Sequence, residues 1–272
     1  MNLEQLCKNI ELPEEITLRV REFHRQCDWA KYDPMISLLG RKESWNEGLD
    51  RLRVSLDPDA DGVGMLTCML RAAVTCYEEY LNRGMDEAVY TATMKCFSRF
   101  VGEHMVSYGR YGFDRAFWTP RQVSLKLFRL GELEYELWKW KGEKVVSVHI
   151  PSDAKMKPEL LDASFEMAAG FMEKFFPDYM GAKYVCDSWL LSPALKKLLP
   201  EESNIIRFQN RFEIQSVDPD APDVIEWVFQ NAKCDLKDLP ERTTLQKNMK
   251  AAMLRGEKIG IAFGVIAGPV KG

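Results

Sequence analysis

Three short runs decide the fold: Val123-Ser124-Leu125-Lys126-Leu127, Leu133-Glu134-Tyr135-Glu136-Leu137 and Val146-Ser147-Val148-His149-Ile150. Each alternates apolar with polar residues, the period of a half-buried strand. Register follows, because a slip of one residue would turn every apolar side chain to the wrong side. Matching faces pairs Leu125 with Leu137 and Leu127 with Tyr135 around an odd loop at Leu130-Gly131-Glu132. It also pairs Leu137 with Val146, Tyr135 with Val148 and Leu133 with Ile150, which leaves Lys141-Gly142 as a two-residue turn. Gly142 supplies the positive φ that such a turn needs. The opposite face then carries Lys126 beside Glu136 beside Ser147, and Phe128 beside Glu134 beside His149.

The remaining chain extends this sheet. Pro158 suits the first turn of a helix whose stripe is Leu161, Phe165, Ala168, Met172 and Phe175, stopped by Pro177. Tyr184 to Leu191 reads as a short strand. The crossover from Val145–Ile150 through that helix makes the two strands parallel neighbours. Ile206, Phe208, Phe212 and Ile214 alternate with polar residues and read as a long strand. Thr243 with Gln246 caps a further helix, and Ile259, Ile261, Phe263 and Val265 form a last strand. Gly260, Ala262 and Gly264 on that strand's other face signal a close approach.

Upstream, the pattern is helical. Ile16, Val20, Phe23, Cys27 and Ala30 form one stripe, and Ser44 with Glu47 forms a capping box. Leu66, Met69, Ala73, Tyr77 and Tyr80 mark a helix closed near Gly84, and Val89, Thr93, Cys96 and Phe100 mark another. The Gly- and aromatic-rich connector Tyr108-Gly109-Arg110-Tyr111-Gly112-Phe113-Asp114 suggests a boundary there. The expected organisation is α+β: an all-helical N-terminal domain at 1–112, then a mixed sheet flanked by helices at 113–272.

At 272 residues, 46% hydrophobic and 29% charged, with a net charge of −4, the chain reads as soluble and globular. It has no basic stripe for nucleic acid and no apolar run long enough to span a bilayer. The expected partner is a small-molecule substrate, with no nucleic acid and no membrane. Seven scattered cysteines without a C-x-x-C, and no apolar leader at Met1–Gln5, point to a reduced cytoplasmic protein. Asp57-Pro58-Asp59-Ala60-Asp61-Gly62 copies the first half of a calcium loop. Its twelfth position is Cys68 where a bidentate Glu belongs, so it reads as a helix cap and no metal is expected.

Five segments carry a family resemblance: Gly109–Arg115, Leu127–Glu134, Val148–Pro151, Asp187–Pro193 and Ser203–Phe208. They resemble a bacterial acyltransferase-domain family with a helical N-terminal domain and a GNAT-like C-terminal domain, over nearly the whole chain. The resemblance implies N-acyl transfer from an acyl-CoA-like donor to an amine, with the thioester where the two parallel strands splay. Acyl-CoA would be a co-substrate, with no tightly bound cofactor. GNAT enzymes hold the coenzyme pyrophosphate on a glycine-rich loop. The equivalent stretch here, Ser152-Asp153-Ala154-Lys155-Met156-Lys157, has no glycine. Ile150, Ser152, Lys155 and Lys157 are the matching cofactor-binding candidates, on a helix N-terminus that offers unpaired N–H groups to phosphate.

Glu134 beside His149 is the candidate base pair, from the register above. Ser188 or Asp187 would assist the leaving thiolate or bind the amine. The alternative is a non-catalytic GNAT-like ligand-binding or regulatory module that has lost the coenzyme loop, since a fold does not confer a reaction.

Overall fold

A computed structural model describes residues 1–230 and 234–266. The chain folds into two compact units, Met1–Leu130 and Gly131–Gly272.

The first unit contains α1 (Leu3–Asn9), α2 (Glu14–Gln26), α3 (Trp29–Leu38), α4 (Trp45–Leu56), α5 (Val63–Asn82), α6 (Glu87–Met94), α7 (Cys96–Tyr108), α8 (Pro120–Val123) and a short strand β1 (Leu127–Leu130). The hub is α5, because α1 to α4, α6 and α8 all pack on it. Its sequence is apolar nearly all round, as a helix enclosed by others must be. Asp59 starts α5 by accepting the amides of Gly64 (3.0 Å) and Met65 (2.8 Å). Asp61 pairs with Arg19 at 2.7 Å and Arg110 at 3.0 Å. The Asp-rich stretch therefore does the capping work its spacing suggested.

Several details depart from the sequence reading. The stripe from Ile16 to Ala30 is two helices, because Asp28 caps a new one by accepting the Ala30 amide. Ser44 opens α4 without a capping box, since its hydroxyl donates to the Leu38 carbonyl at 2.8 Å. Of the expected first strand only Leu127 is extended, as the start of β1. Pro120 begins the helical turn of α8, and Leu125 has a left-handed φ of 55° that breaks any extended run. Five alternating residues cannot distinguish the two cases, and Val123, Leu125 and Leu127 are buried either way. The 112/113 boundary falls inside the first unit. There the Phe113 amide donates to the Asp61 carbonyl at 2.8 Å, and its ring lies 6.1 Å from that of Phe97.

The second unit contains β2 (Leu133–Trp140), β3 (Glu143–His149), α9 (Pro158–Phe175), β4 (Tyr184–Ser188), α10 (Asn204–Gln209), β5 (Glu213–Asp218), α11 (Asp223–Phe229), α12 (Thr244–Leu254) and β6 (Ile261–Ile266). Its strands are ordered β2-β3-β4-β6-β5, with β3 and β4 parallel and the other neighbours antiparallel. The β2–β3 register is the expected one: Tyr135 opposes Val148, Leu137 opposes Val146, and Lys141-Gly142 makes the turn with φ of 50° and 83°. Two positive φ values are what a right-twisted hairpin requires of a two-residue turn.

Tyr135, Val146, Val148 and Tyr184 share one face, and α9 covers it. Phe165 of α9 stacks edge-on against Tyr135 (5.9 Å) and Tyr184 (5.5 Å). Ser164 anchors the helix, its hydroxyl 3.0 Å from the Tyr135 hydroxyl and accepting the Leu133 amide at 3.2 Å. The predicted strand from Ile206 to Ile214 is instead α10 followed by β5. Ser203 accepts the Ile206 amide at 3.2 Å and nucleates the helix, and Phe208 and Phe212 stack four residues apart. Gly264 meets protein rather than a ligand, since an added Cβ would lie 2.9 Å from Phe212 and 3.0 Å from Leu191.

Candidate active site

Between β3 and β4 only Val146 with Tyr184 and Ser147 with Val185 are registered. Beyond that point β3 continues its ladder with β2 as far as His149, opposite Glu134. Meanwhile β4 continues with β6 as far as Ser188, opposite Ala262. Each strand keeps its outer neighbour while the two lose one another, so a seam opens at their C-terminal ends. Parallel strands in a mixed sheet put ligand sites at such a parting.

Alternation assigns the residues around the seam to two faces. Glu134, Glu136, Ser147, His149 and Asp187 lie on the face away from α9. Val148, Ile150 and Ser188 point toward the α9 side. Glu134 and Glu136 are nearly inaccessible at 2% and 6% exposure, and Ser147 is buried beside them. Two carboxylates so far out of water require partners. For Glu136 the partner is His149, whose Nε2 lies 3.0 Å from Oε2.

Glu134 and His149 stand side by side, in the register that the alternation gave, and the imidazole also bonds Glu136. The two residues oppose each other in register and share a face, but the imidazole leans to the next carboxylate along β2. A diagonal neighbour on a twisted antiparallel pair is within reach of a long side chain. Glu136, placed beside Lys126 and Ser147 by the sequence reading, was not among its candidate site residues. The same alternation that selected Glu134 carried it.

Ser188 is half-buried and accepts the Leu190 amide at 3.1 Å, capping the short helical turn Trp189–Leu191. That turn shortens the strand expected to run to Leu191. Asp187 is exposed at the rim. Ile150 is half-buried just past β3, and Ser152, Lys155 and Lys157 are exposed on the loop into α9. Lys157 occupies the N-cap position of α9 in extended conformation, without a side-chain cap. Glu132 accepts the Lys155 amide at 2.8 Å, a carboxylate where the resemblance expects phosphate. Arg211, just before β5, reaches the first turn of α9. Its guanidinium bonds Asp162 at 2.5 Å and the Pro158 carbonyl at 3.4 Å.

On the same face as Glu136 and His149, farther along the strands, Trp138, Trp140 and Phe263 pack over the buried Val145, Val185 and Val265. The rings of Trp140 and Phe263 are 5.0 Å apart, and Lys141 Nζ lies 4.4 Å over Trp140. On the other face, under α9, Tyr184 is pushed up to about 12 by burial, which keeps its phenol neutral. Among the described residues, no helix is long and apolar enough to cross a membrane.

Residues 127–266 match the GNAT-like C-terminal domain, and residues 1–125 match the N-acyltransferase N-terminal domain. No curated protein sequence matches significantly. Among solved structures, an acyltransferase mutant in complex with octanoyl-CoA is similar at 23% identity and a TM-score of 0.84, over 98% of this chain and 87% of that one. An acyltransferase in complex with decanoyl-CoA and teicoplanin gives 21% and 0.80 over 98% and 87%. Another, in complex with decanoyl-CoA, gives 23% and 0.71 over 99% and 100%. At such identities the likeness is one of fold. With one domain match covering more than half of the chain and the other nearly all of the rest, this protein belongs to the family that joins an N-acyltransferase N-terminal domain to a GNAT-like C-terminal domain.

Proposed function

We propose that this chain transfers an acyl group from an acyl-CoA thioester to an amine. The observation that carries the reading is the parted β3–β4 seam with the His149–Glu136 pair on its rim. A thioester seated in the seam would have its carbonyl carbon between the two strand ends. With Nε2–H given to the Glu136 carboxylate, Nδ1 is the basic nitrogen of His149, and the carboxylate stabilises the imidazolium formed on protonation. The amine nitrogen attacks the carbonyl, its proton passes to His149, the C–N bond forms and the C–S bond breaks. Ser188, on the α9 side, hydrogen-bonds the departing sulfur, and the thiolate takes its proton from solvent. Asp187, exposed at the rim on the amine's side, would favour an ammonium-bearing acceptor.

The donor's diphosphate would lie at the N-terminus of α9, where Lys155, Lys157 and Arg211 supply positive charge. The solved acyltransferases of the same fold hold octanoyl- and decanoyl-CoA, so medium-chain thioesters are the donors of first choice. The test is amine-dependent release of free coenzyme thiol with acetyl-, octanoyl- and decanoyl-CoA and a panel of primary amines. Release with none of them overturns the reading.

One feature favours the non-catalytic module: the loop has no glycine and Glu132 already takes the Lys155 amide. Under that reading, calorimetric titration with coenzyme A gives no heat of binding at millimolar ligand. Saturable binding excludes a lost coenzyme site.

A further inference from the structure

We propose that Glu132 is an internal competitor for the donor's diphosphate: its carboxylate closes the loop before α9, and coenzyme binds by displacing it. The inference rests on the acyl-transfer reading and adds a regulation of that same site. The carboxylate is delivered by a pinned turn. Gly131 has a left-handed φ of 65°, and an added Cβ there would lie 3.1 Å from Cβ of Ser164 on α9. Two residues later, the Leu133 amide donates to the Ser164 hydroxyl at 3.2 Å. Half-buried Glu132 stands between these two contacts, and its Oε2 accepts the amide of the exposed Lys155 at 2.8 Å. An anion is thus already seated on a backbone N–H ahead of the helix that would receive the diphosphate. The neighbouring Ala154 amide is engaged too, by the Pro151 carbonyl at 3.0 Å.

Charge points the same way. From Ser152 through the first turn of α9, Lys155 and Lys157 are matched by Asp153 and Glu159, all four exposed. Arg211 is engaged by Asp162. Glu132 tips this balance toward negative, so an arriving diphosphate meets repulsion and gains the Lys155 amide only once the carboxylate has swung away. Rotation of the Glu132 side chain is enough, because Ser164 keeps the turn itself in place. Displacement raises the dissociation constant of acyl-CoA and of released coenzyme by the same factor. The device therefore relieves inhibition by the coenzyme product and leaves the choice of acyl chain untouched.

The test titrates inorganic pyrophosphate and coenzyme A calorimetrically into the wild type, Glu132→Gln and Glu132→Ala, at low and high salt. Both variants should bind each ligand about three- to tenfold more tightly than the wild type, with a gain that shrinks as salt rises. Hydrogen exchange at the Lys155 amide should be slow in the wild type, faster in Glu132→Ala, and slow again when coenzyme A is added to that variant. Glu132→Gln keeps the size and one acceptor oxygen, so it decides the matter if Glu132→Ala is less stable. Equal affinities in all three proteins overturn the proposal, as does an absence of binding in all three. Weaker binding in both variants also overturns it, since the carboxylate would then be holding the loop in its binding shape. Tighter pyrophosphate binding by the variants, without amine-dependent thiol release from any acyl-CoA, sinks the acyl-transfer reading and leaves the competitor standing. Thiol release with equal affinities does the reverse.

Discussion

At the scale of single residues, His149 and Glu136 are the pair on which the chemistry turns. Their hydrogen bond fixes which imidazole nitrogen is basic, so each partner has a separable role. His149→Gln keeps a hydrogen-bonding group of similar reach and removes the base. The expected loss in kcat for amine acylation is roughly 10²-fold, read by coenzyme-thiol release. Glu136→Gln leaves the imidazole held but weakens support for its charged form, and the same assay should show a loss of about tenfold or more. An unchanged rate in either variant would remove that residue from the mechanism. Glu134→Gln separates the two carboxylates: a smaller effect than Glu136→Gln is expected, because the imidazole contacts Glu136. The polar row on β2 was legible in the sequence by alternation alone. Which of its two carboxylates the imidazole meets was not, because that choice depends on the twist between strands and on the His149 rotamer.

At the scale of elements, the site exists because two neighbouring strands part while each stays fixed to its outer partner. The face opposite the site is clamped by α9, and Ser164 is the pin of that clamp. Ser164→Ala removes the hydroxyl shared by two buried groups, the Leu133 amide and the Tyr135 phenol. It should cost about 1–3 kcal/mol of unfolding free energy in urea titrations. At the other end of α9, Lys155→Ala with Lys157→Ala should weaken coenzyme A binding by about two- to fivefold per charge, less at high salt. An effect that ignores ionic strength would mean that these lysines do not meet the diphosphate. Elements with long stripes, such as α5 and α9, were readable from period alone. The short ones misled: Val123–Leu127 and Ile206–Ile214 both alternate, yet Pro120 and the Ser203 cap make the first part of each a helical turn, with strand only from Leu127 and from Glu213.

At the scale of the whole molecule, several buried cysteines and tyrosines are held neutral. Burial pushes Cys7 up to about 11 and Cys68 up to about 12, each from an ordinary value of 9.0. Cys186 and Tyr90 are shifted the same way by the same cause. Because the folded pKa exceeds the unfolded one, the unfolded chain releases these protons first as pH rises. Stability from these groups is thus fully present below about pH 9 and is lost between pH 9 and 12. Tm should accordingly fall steadily above pH 9. At pH 8 the native protein should show Cys7, Cys68 and Cys186 unreactive toward a thiol reagent until it is denatured. Rapid labelling of Cys68 in the folded protein would contradict that packing.

The sequence by itself determined the class of the fold, the hairpin register around Lys141-Gly142, the parallel crossover through α9 and the shared face of Glu134, Glu136 and His149. Those follow from local chemistry, because strand alternation, a positive-φ turn and an apolar stripe each need only a few residues to be decided. Only the tertiary structure decided where β3 and β4 separate, which carboxylate receives the imidazole, and that Trp138, Trp140 and Phe263 assemble on one surface. Trp140 and Phe263 are far apart in the chain and lie on strands that are not neighbours, and their 5.0 Å approach is set by the pairing and twist of the sheet between them.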